Sequence, residues 1–253
     1  MQMRGNTIFI TGGTSGIGRG LAEAFHRCGN QVIVAGRRQQ LLDEMRQANP
    51  GMRSFLLDVT DAEAVREVAR KAIAEFPALN CVFNNAGVQR GADFTPGQTL
   101  DERAILAEIN TNILGVIRVA SAFLPHLATR PAATLVNVSS GLAFVPMARY
   151  AVYCATKAAV HSWTLSLRHQ LRNSNVKVRE LIPPWVATEL GGMGKPAQTP
   201  AGGNQPMPLA AFIAETMKEL ETDAEEIAIA DAKRLAAAAS PDTVKTVFSR
   251  MNS

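Results

Sequence analysis

At 253 residues, 47% of them hydrophobic, the chain can bury a sizeable core and is too apolar to be disordered over most of its length. Its formal net charge of +4 comes from scattered Lys and Arg rather than one basic run, which argues against nucleic acid as a main partner. Cys28, Cys81 and Cys154 form neither a disulfide framework nor a metal-spaced pair. Residues 1–6 carry no apolar leader and no run approaches the ~20 apolar residues of a membrane span, so the expectation is a cytoplasmic protein without a span.

In chain order, β-rich runs alternate with helical stretches. Strands are predicted over Thr7–Thr11, Gln31–Gly36, Arg53–Asp58, Cys81–Asn84, Thr134–Ser139 and Lys177–Ile182, and several read as continuous apolar segments, as strands covered on both faces do. Helices are predicted over Gly18–Cys28, Gln39–Asn49, Asp61–Phe76, Asp101–Ala128 and Ala151–Asn173, with Asp61 as a cap. Gly191–Leu209 is crowded with Gly and Pro and is expected to be a loop, with a substrate lid as its functional reading. Beyond it come a helix over Ala210–Glu221, a short strand over Glu226–Ala230 and a terminal helix over Pro241–Met251. Alternating strands and helices imply right-handed crossovers and an α/β fold: one Rossmann-type, doubly wound, mostly parallel sheet of six to seven strands, in a single domain over 1–253.

The first strand runs directly into TGGTSGIG, Thr11 to Gly18, and then a helix. In that context Gly12, Gly16 and Gly18 give a tight turn, close approach and close helix packing, and the free N–H groups of the helix start attract phosphate. A dinucleotide is therefore expected against Gly12, Thr14, Ser15, Gly16, Ile17 and Gly18. About 20 residues on, where NAD-binding chains usually place an acid, this chain reads Ala35-Gly36-Arg37-Arg38. Without an acid to repel a 2′-phosphate, and with guanidinium groups to bind it, NADP(H) is expected over NAD(H).

Asn84-Asn85-Ala86-Gly87, Asn137-Val138-Ser139-Ser140 and Tyr153-Cys154-Ala155-Thr156-Lys157 follow in order. Together with TGGTSGIG, they make the chain resemble the short-chain dehydrogenase/reductase family over residues 7 to about 190. NAGVQR, SSGLAFVPMA and IPPWVATEL resemble its bacterial DltE-like subgroup most. Tyr153 and Lys157, at i and i+4, share a helix face. A free phenol titrates near ~10, and a neighbouring ammonium favours its ionised form, so Tyr153 can exchange a proton with a substrate oxygen.

The resemblance implies Ser140 rather than Ser139 as the carbonyl-polarising hydroxyl, Lys157 as a further contact to the nicotinamide ribose, and Asn112 in a proton relay. It also implies cofactor contacts from Asp58, Val59, Asn85, Ala86, Gly87, Val186 and Thr188. Pro184 departs from the Pro-Gly turn of many relatives, which leaves the path of 186–188 open.

Gln89, Phe144 and Trp185 are candidates for a substrate wall, with Arg90, Leu142, Arg149, Met193 and Met207 around them. The implied activity is NADP(H)-dependent interconversion of a small-molecule carbonyl and an alcohol; the alternative is an NADP(H)-binding sensor or scaffold without turnover. His26, His126, His161 and His169 show no metal-ligand spacing, so no metal is expected. The resemblance further implies a homodimer or homotetramer pairing the two long helices.

Overall fold

The computed structural model describes residues 1–190, 205–238 and 241–251. Seven strands form one parallel sheet: β1 Thr7–Thr11, β2 Gln31–Gly36, β3 Arg53–Leu56, β4 Leu79–Asn84, β5 Ala133–Val138, β6 Val176–Ile182 and β7 Glu226–Ala228, in the order β3-β2-β1-β4-β5-β6-β7. Every pairing is parallel, so the single-sheet expectation holds in full. The strand order reverses between β1 and β4, and the crevice for a dinucleotide opens at the carboxyl ends of these two strands.

The described α-helices are α1 Gly16–Arg27, α2 Gln39–Ala48, α3 Ala62–Glu75, α4 Glu102–Ile109, α5 Val116–Leu127, α6 Ala151–Gln170, α7 Leu209–Glu221, α8 Asp231–Ala236 and α9 Pro241–Met251. The apolar runs of the strands are explained by coverage on both sides. On β1, Ile8 and Ile10 pack with Leu21 and Phe25 of α1 and Phe212 of α7, while Phe9 between them packs with Val65 of α3, Phe123 of α5 and Leu167 of α6. The Phe9 and Phe123 rings lie 4.7 Å apart, each fully buried and each worth about 1.5–3 kcal/mol in area removed from water.

Most element ends shift by a residue or two from the sequence reading, and a few departures have a physical reason. β3 stops at Leu56 because the Asp58 carboxylate accepts from the Thr60 N–H at 2.9 Å and the Thr60 hydroxyl at 2.8 Å, folding the chain into a turn that leads to the Asp61 cap. That cap is as expected: Asp61 accepts from the N–H groups of Glu63 and Ala64. The helix expected over Asp101–Ala128 is instead α4 and α5 joined by a π-helical turn, Asn110–Gly115, which draws Asn112 fully inside. α8 was not foreseen.

The helical stretch Glu102–Leu127 is, by length and composition, apolar enough to cross a membrane, contrary to the expectation that no run comes close. Val116, Val119, Ala120, Phe123 and Leu127 are nevertheless buried within the fold. The Gly/Pro-rich lid segment lies outside the described residues from 191 to 204, Met193 included. Its far end is described: the Met207 N–H donates to the Trp185 carbonyl at 2.8 Å, and the Met207 carbonyl accepts from Ala187 at 2.9 Å.

Candidate active site

The turn between β1 and α1 is built on glycines. Gly12 and Gly16 hold positive φ of 64° and 52°, which side chains resist. At Gly18 an added Cβ would lie 2.3 Å from the Gly12 carbonyl oxygen and 2.4 Å from Asn85 Nδ2. The Asn85 amide donates to the carbonyls of Thr11 and Gly12, at 3.0 and 3.2 Å, while the Thr11 hydroxyl accepts from the N–H groups of Asn85 and Ala86. Asn85 thus braces the turn across the switch point. Thr188 packs against Gly16, where a Cβ would lie 3.3 Å from it, so the double-proline segment still delivers Thr188 to the turn. Thr14 lies against Gly36, at the end of β2.

Arg38 donates to the Ser15 hydroxyl at 2.9 Å and lies 3.8 Å from the Glu189 carboxylate, and Arg37 lies 3.8 Å from that of Asp58. Both guanidinium groups are exposed at the mouth of the glycine turn, and such exposed ion pairs are weak enough to give way to a phosphate. Val59, next to Asp58, is buried against Gly115 of the π turn. Positive-φ glycines, an uncapped helix start and paired arginines fit a dinucleotide with an added phosphate.

The candidate reacting groups Tyr153 and Lys157 lie along α6. Tyr153 and Lys157 are both buried, and the Lys157 ammonium sits 5.7 Å from the centre of the Tyr153 ring while donating to the Val138 carbonyl of β5 at 2.8 Å. Ser140 faces Tyr153 by a side-chain hydrogen bond and also accepts from the Leu142 N–H at 3.1 Å; the buried Ser139 hydroxyl has no partner among the described residues. Burial pushes the Tyr153 phenol above its usual range, against the pull of the Ser140 hydrogen bond. Burial also lowers Lys157 to about 8, opposed by the carboxylates of Glu180 and Glu108.

Asn112 is gripped on three sides: it accepts from the Val88 N–H at 2.9 Å and donates to the Val88 carbonyl at 2.8 Å and the Thr156 hydroxyl at 3.1 Å. A Cβ on Gly87 would lie 3.4 Å from Asn112 Oδ1 and 3.7 Å from Lys157 Nζ, so the Asn112 and Lys157 side chains converge at Gly87. Ser140, Tyr153, Lys157 and Asn112 are thereby brought together. Of the substrate-wall candidates, Phe144 is half-buried: its ring lies tilted against His161, 4.5 Å between centroids, and packs against the cluster of Val145, Leu235 and Val247. Leu142 and Met147 lie instead against Tyr150, Tyr153 and Cys154. Gln89 and Trp185 are half-buried, and Arg90 and Arg149 are exposed.

Two acids escaped the sequence reading. Glu108, almost fully buried on α4, accepts from the Arg90 N–H at 3.0 Å; its only sequence signal is its place one helical turn before Asn112. Glu180 on β6 is fully buried and takes a 2.8 Å hydrogen bond with His161 Nδ1. Strand pairing also sets Glu226 beside it, so His161, Glu180 and Glu226 offer ligand atoms within 4.8 Å of one another, a grouping no linear spacing shows; Arg168, 3.5 Å from Glu226, answers part of their charge.

A parallel sheet with a glycine cradle at its switch point and a buried tyrosine–lysine pair beside it defines a dinucleotide-dependent oxidoreductase. The short chain dehydrogenase family matches residues 6–198, and the chain belongs to that family. It is 43% identical over 198 residues, 78% of each chain, to an uncharacterised oxidoreductase of Bacillus subtilis, DltE. It is 36% identical over 186 residues, 72% of this chain and 60% of the relative, to the NADPH-dependent 1-acyldihydroxyacetone phosphate reductase of Schizosaccharomyces pombe. Among solved structures, a short chain dehydrogenase from Burkholderia cenocepacia in complex with NADP superposes with a TM-score of 0.84 at 26% identity, covering all of both chains.

Proposed function

We propose that the protein is an NADP(H)-dependent oxidoreductase that interconverts a small-molecule carbonyl and an alcohol, with Tyr153 as the proton donor and acceptor. The burial of Tyr153, Lys157 and Ser140 together, one hydrogen bond or one helical turn apart, carries this reading. Gly12, Thr14, Ser15, Gly16, Ile17, Gly18, Asn85, Ala86, Gly87, Val186 and Thr188 would hold the cofactor, Asp58 and Val59 its adenine, and Arg37 and Arg38 its 2′-phosphate. The bound cofactor supplies the hydride chemistry.

This chain's residues handle the proton. The Ser140 hydroxyl donates to the substrate oxygen, Tyr153 gives that oxygen its proton in reduction, and the Lys157 ammonium stabilises the phenolate left behind. Asn112, fixed by Val88 and Thr156, holds the path for the proton that restores Tyr153. Leu142, Trp185 and Gln89 exclude water and shape the pocket for a moderately apolar carbonyl. The whole chain serves as one catalytic domain.

The two long helices leave Leu106, Leu114 and Leu165 exposed, which supports a homodimer or homotetramer through that face; light scattering of the purified protein would read its mass. The functional reading is tested by titrating with NADPH and NADH and following cofactor absorbance across aldehydes, ketones and keto acids. NADPH binding tighter than NADH, with turnover of at least one carbonyl compound, is the expected result. NADPH binding with no turnover across the panel would favour a sensor, and no binding would sink the reading.

A further inference from the structure

Between Gly87, beside Lys157, and the exposed turn that follows, residues 88–92 form a segment without regular structure. Its alternate backbone N–H groups are each tied down: Val88 to the Asn112 side chain at 2.9 Å, Arg90 to the Glu108 carboxylate at 3.0 Å and Ala92 to the Arg149 carbonyl at 3.2 Å. Asn112 and Glu108 stand four residues apart on one helical stretch, so a single helix face holds Val88 and Arg90. Arg149 lies on the chain just ahead of α6, four residues before Tyr153.

We propose that Glu108 is a positioning residue for the carbonyl substrate, the middle anchor of a strap, residues 88–92, that carries Gln89 and Arg90 past the reacting groups. Asn112 sets the end of the strap nearest Lys157, and Arg149 sets its outer end. Without Glu108 the strap would hang between two fixed points, with the part-buried Arg90 N–H in the middle left without its acceptor. A cavity of about 150 Å³ lies between the strap and α4, lined by Arg90, Gly91, Ala92, Ile105 and Glu108 among others, so there is room for the strap to sag once the anchor is gone.

The carboxylate itself is unusual for this task. Glu108 is 1% exposed, and burial raises its pKa against the opposing effects of the Arg90 N–H and the charges of Arg90 and Lys157. What the strap needs from it is an acceptor oxygen at that reach, which a glutamine amide also presents. A residue acting only on general stability would lower cofactor binding and substrate binding together; a strap anchor affects the substrate side alone.

This inference rests on the reductase reading above, and its test separates the two. Wild type, Glu108→Gln and Glu108→Ala are compared with NADPH and benzaldehyde as the carbonyl probe, alongside hydrogen exchange of the 88–92 segment without substrate. Glu108→Ala is expected to raise the KM for benzaldehyde about tenfold, with NADPH affinity within about twofold and faster exchange confined to the strap. Glu108→Gln should return KM and exchange to within about threefold of wild type.

Unchanged exchange in Glu108→Ala, or loss of NADPH affinity equal to the loss for benzaldehyde, would overturn the anchor. So would a Gln variant as impaired as the Ala variant. Absence of turnover in the wild type would count against the reductase reading, while the exchange comparison would still decide whether Glu108 holds the strap.

Discussion

The two halves of the sheet solve different problems with different materials. On the β1–β3 side, the proposed cofactor cradle is main chain: glycines in positions a side chain would obstruct, an uncapped helix start, and Asn85 bracing carbonyls. On the β5–β6 side the site is buried side chains whose behaviour is set by their neighbours, with Lys157 lowered to about 8 by burial and pulled back by Glu180 and Glu108. A backbone site tolerates no added atoms. A side-chain site tolerates shape-preserving changes and responds to charge and pH.

The sharpest way to break this contrast is Gly18→Ala. Its Cβ would meet backbone at 2.3 Å, so NADPH affinity is expected to fall about 100-fold by calorimetry, as over-packing of a rigid contact predicts. An affinity within twofold of wild type would show that the cradle yields and that its glycines are not required.

Next is the pH response of the side-chain half. Lys157 is depressed from an ordinary value of 10.5, so its ammonium is present below about pH 8 and lost above it. Carbonyl reduction should therefore decline as pH rises through about 8. Lys157→Met should lower turnover about 100-fold and remove that limb, and an unchanged limb in the variant would assign it to another group.

Arg38→Ala, which removes the donor to Ser15 and one cation from the cradle's mouth, should cost about tenfold in NADPH affinity and leave NADH nearly unchanged. Equal losses for both cofactors would mean that Arg38 supports the turn rather than a phosphate. The smallest effect is expected at Asp61→Ala, which deletes the two capping bonds of α3 on the cofactor side: about 1 kcal/mol of stability by denaturant titration, with turnover untouched.

The same contrast explains what was legible beforehand. The cradle could be read because backbone chemistry demands glycine, and glycine is visible in a sequence: TGGTSGIG after an apolar strand implied its own conformation. That Tyr153 and Lys157 stand side by side could be read because a helix fixes the meaning of four residues.

Glu108 could not be, since a glutamate in a polar-rich helical turn reads as solvent-facing, and its burial comes from chain distant in sequence, including the strap whose Arg90 N–H it accepts. Nor could the π turn, because 3.6-residue periodicity carries no mark of one extra residue in a turn. Glu180, His161 and Glu226 meet through strand order, which local pattern does not encode. The packing of Phe144 was hidden for a related reason: Leu235 of α8 and Val247 of α9, in the cluster it packs against, lie about a hundred residues downstream in a part of the chain with the weakest motifs.

The central claim is that binding and chemistry are separable, the cradle holding NADPH and Tyr153 moving the proton. The most direct test measures both in Tyr153→Phe: NADPH affinity by titration and reduction of a carbonyl substrate in a single turnover. The account predicts affinity within about twofold of wild type and a rate reduced about 1,000-fold. A variant that still reduces substrate at the wild-type rate would contradict it, because the proton would then come from a group other than Tyr153.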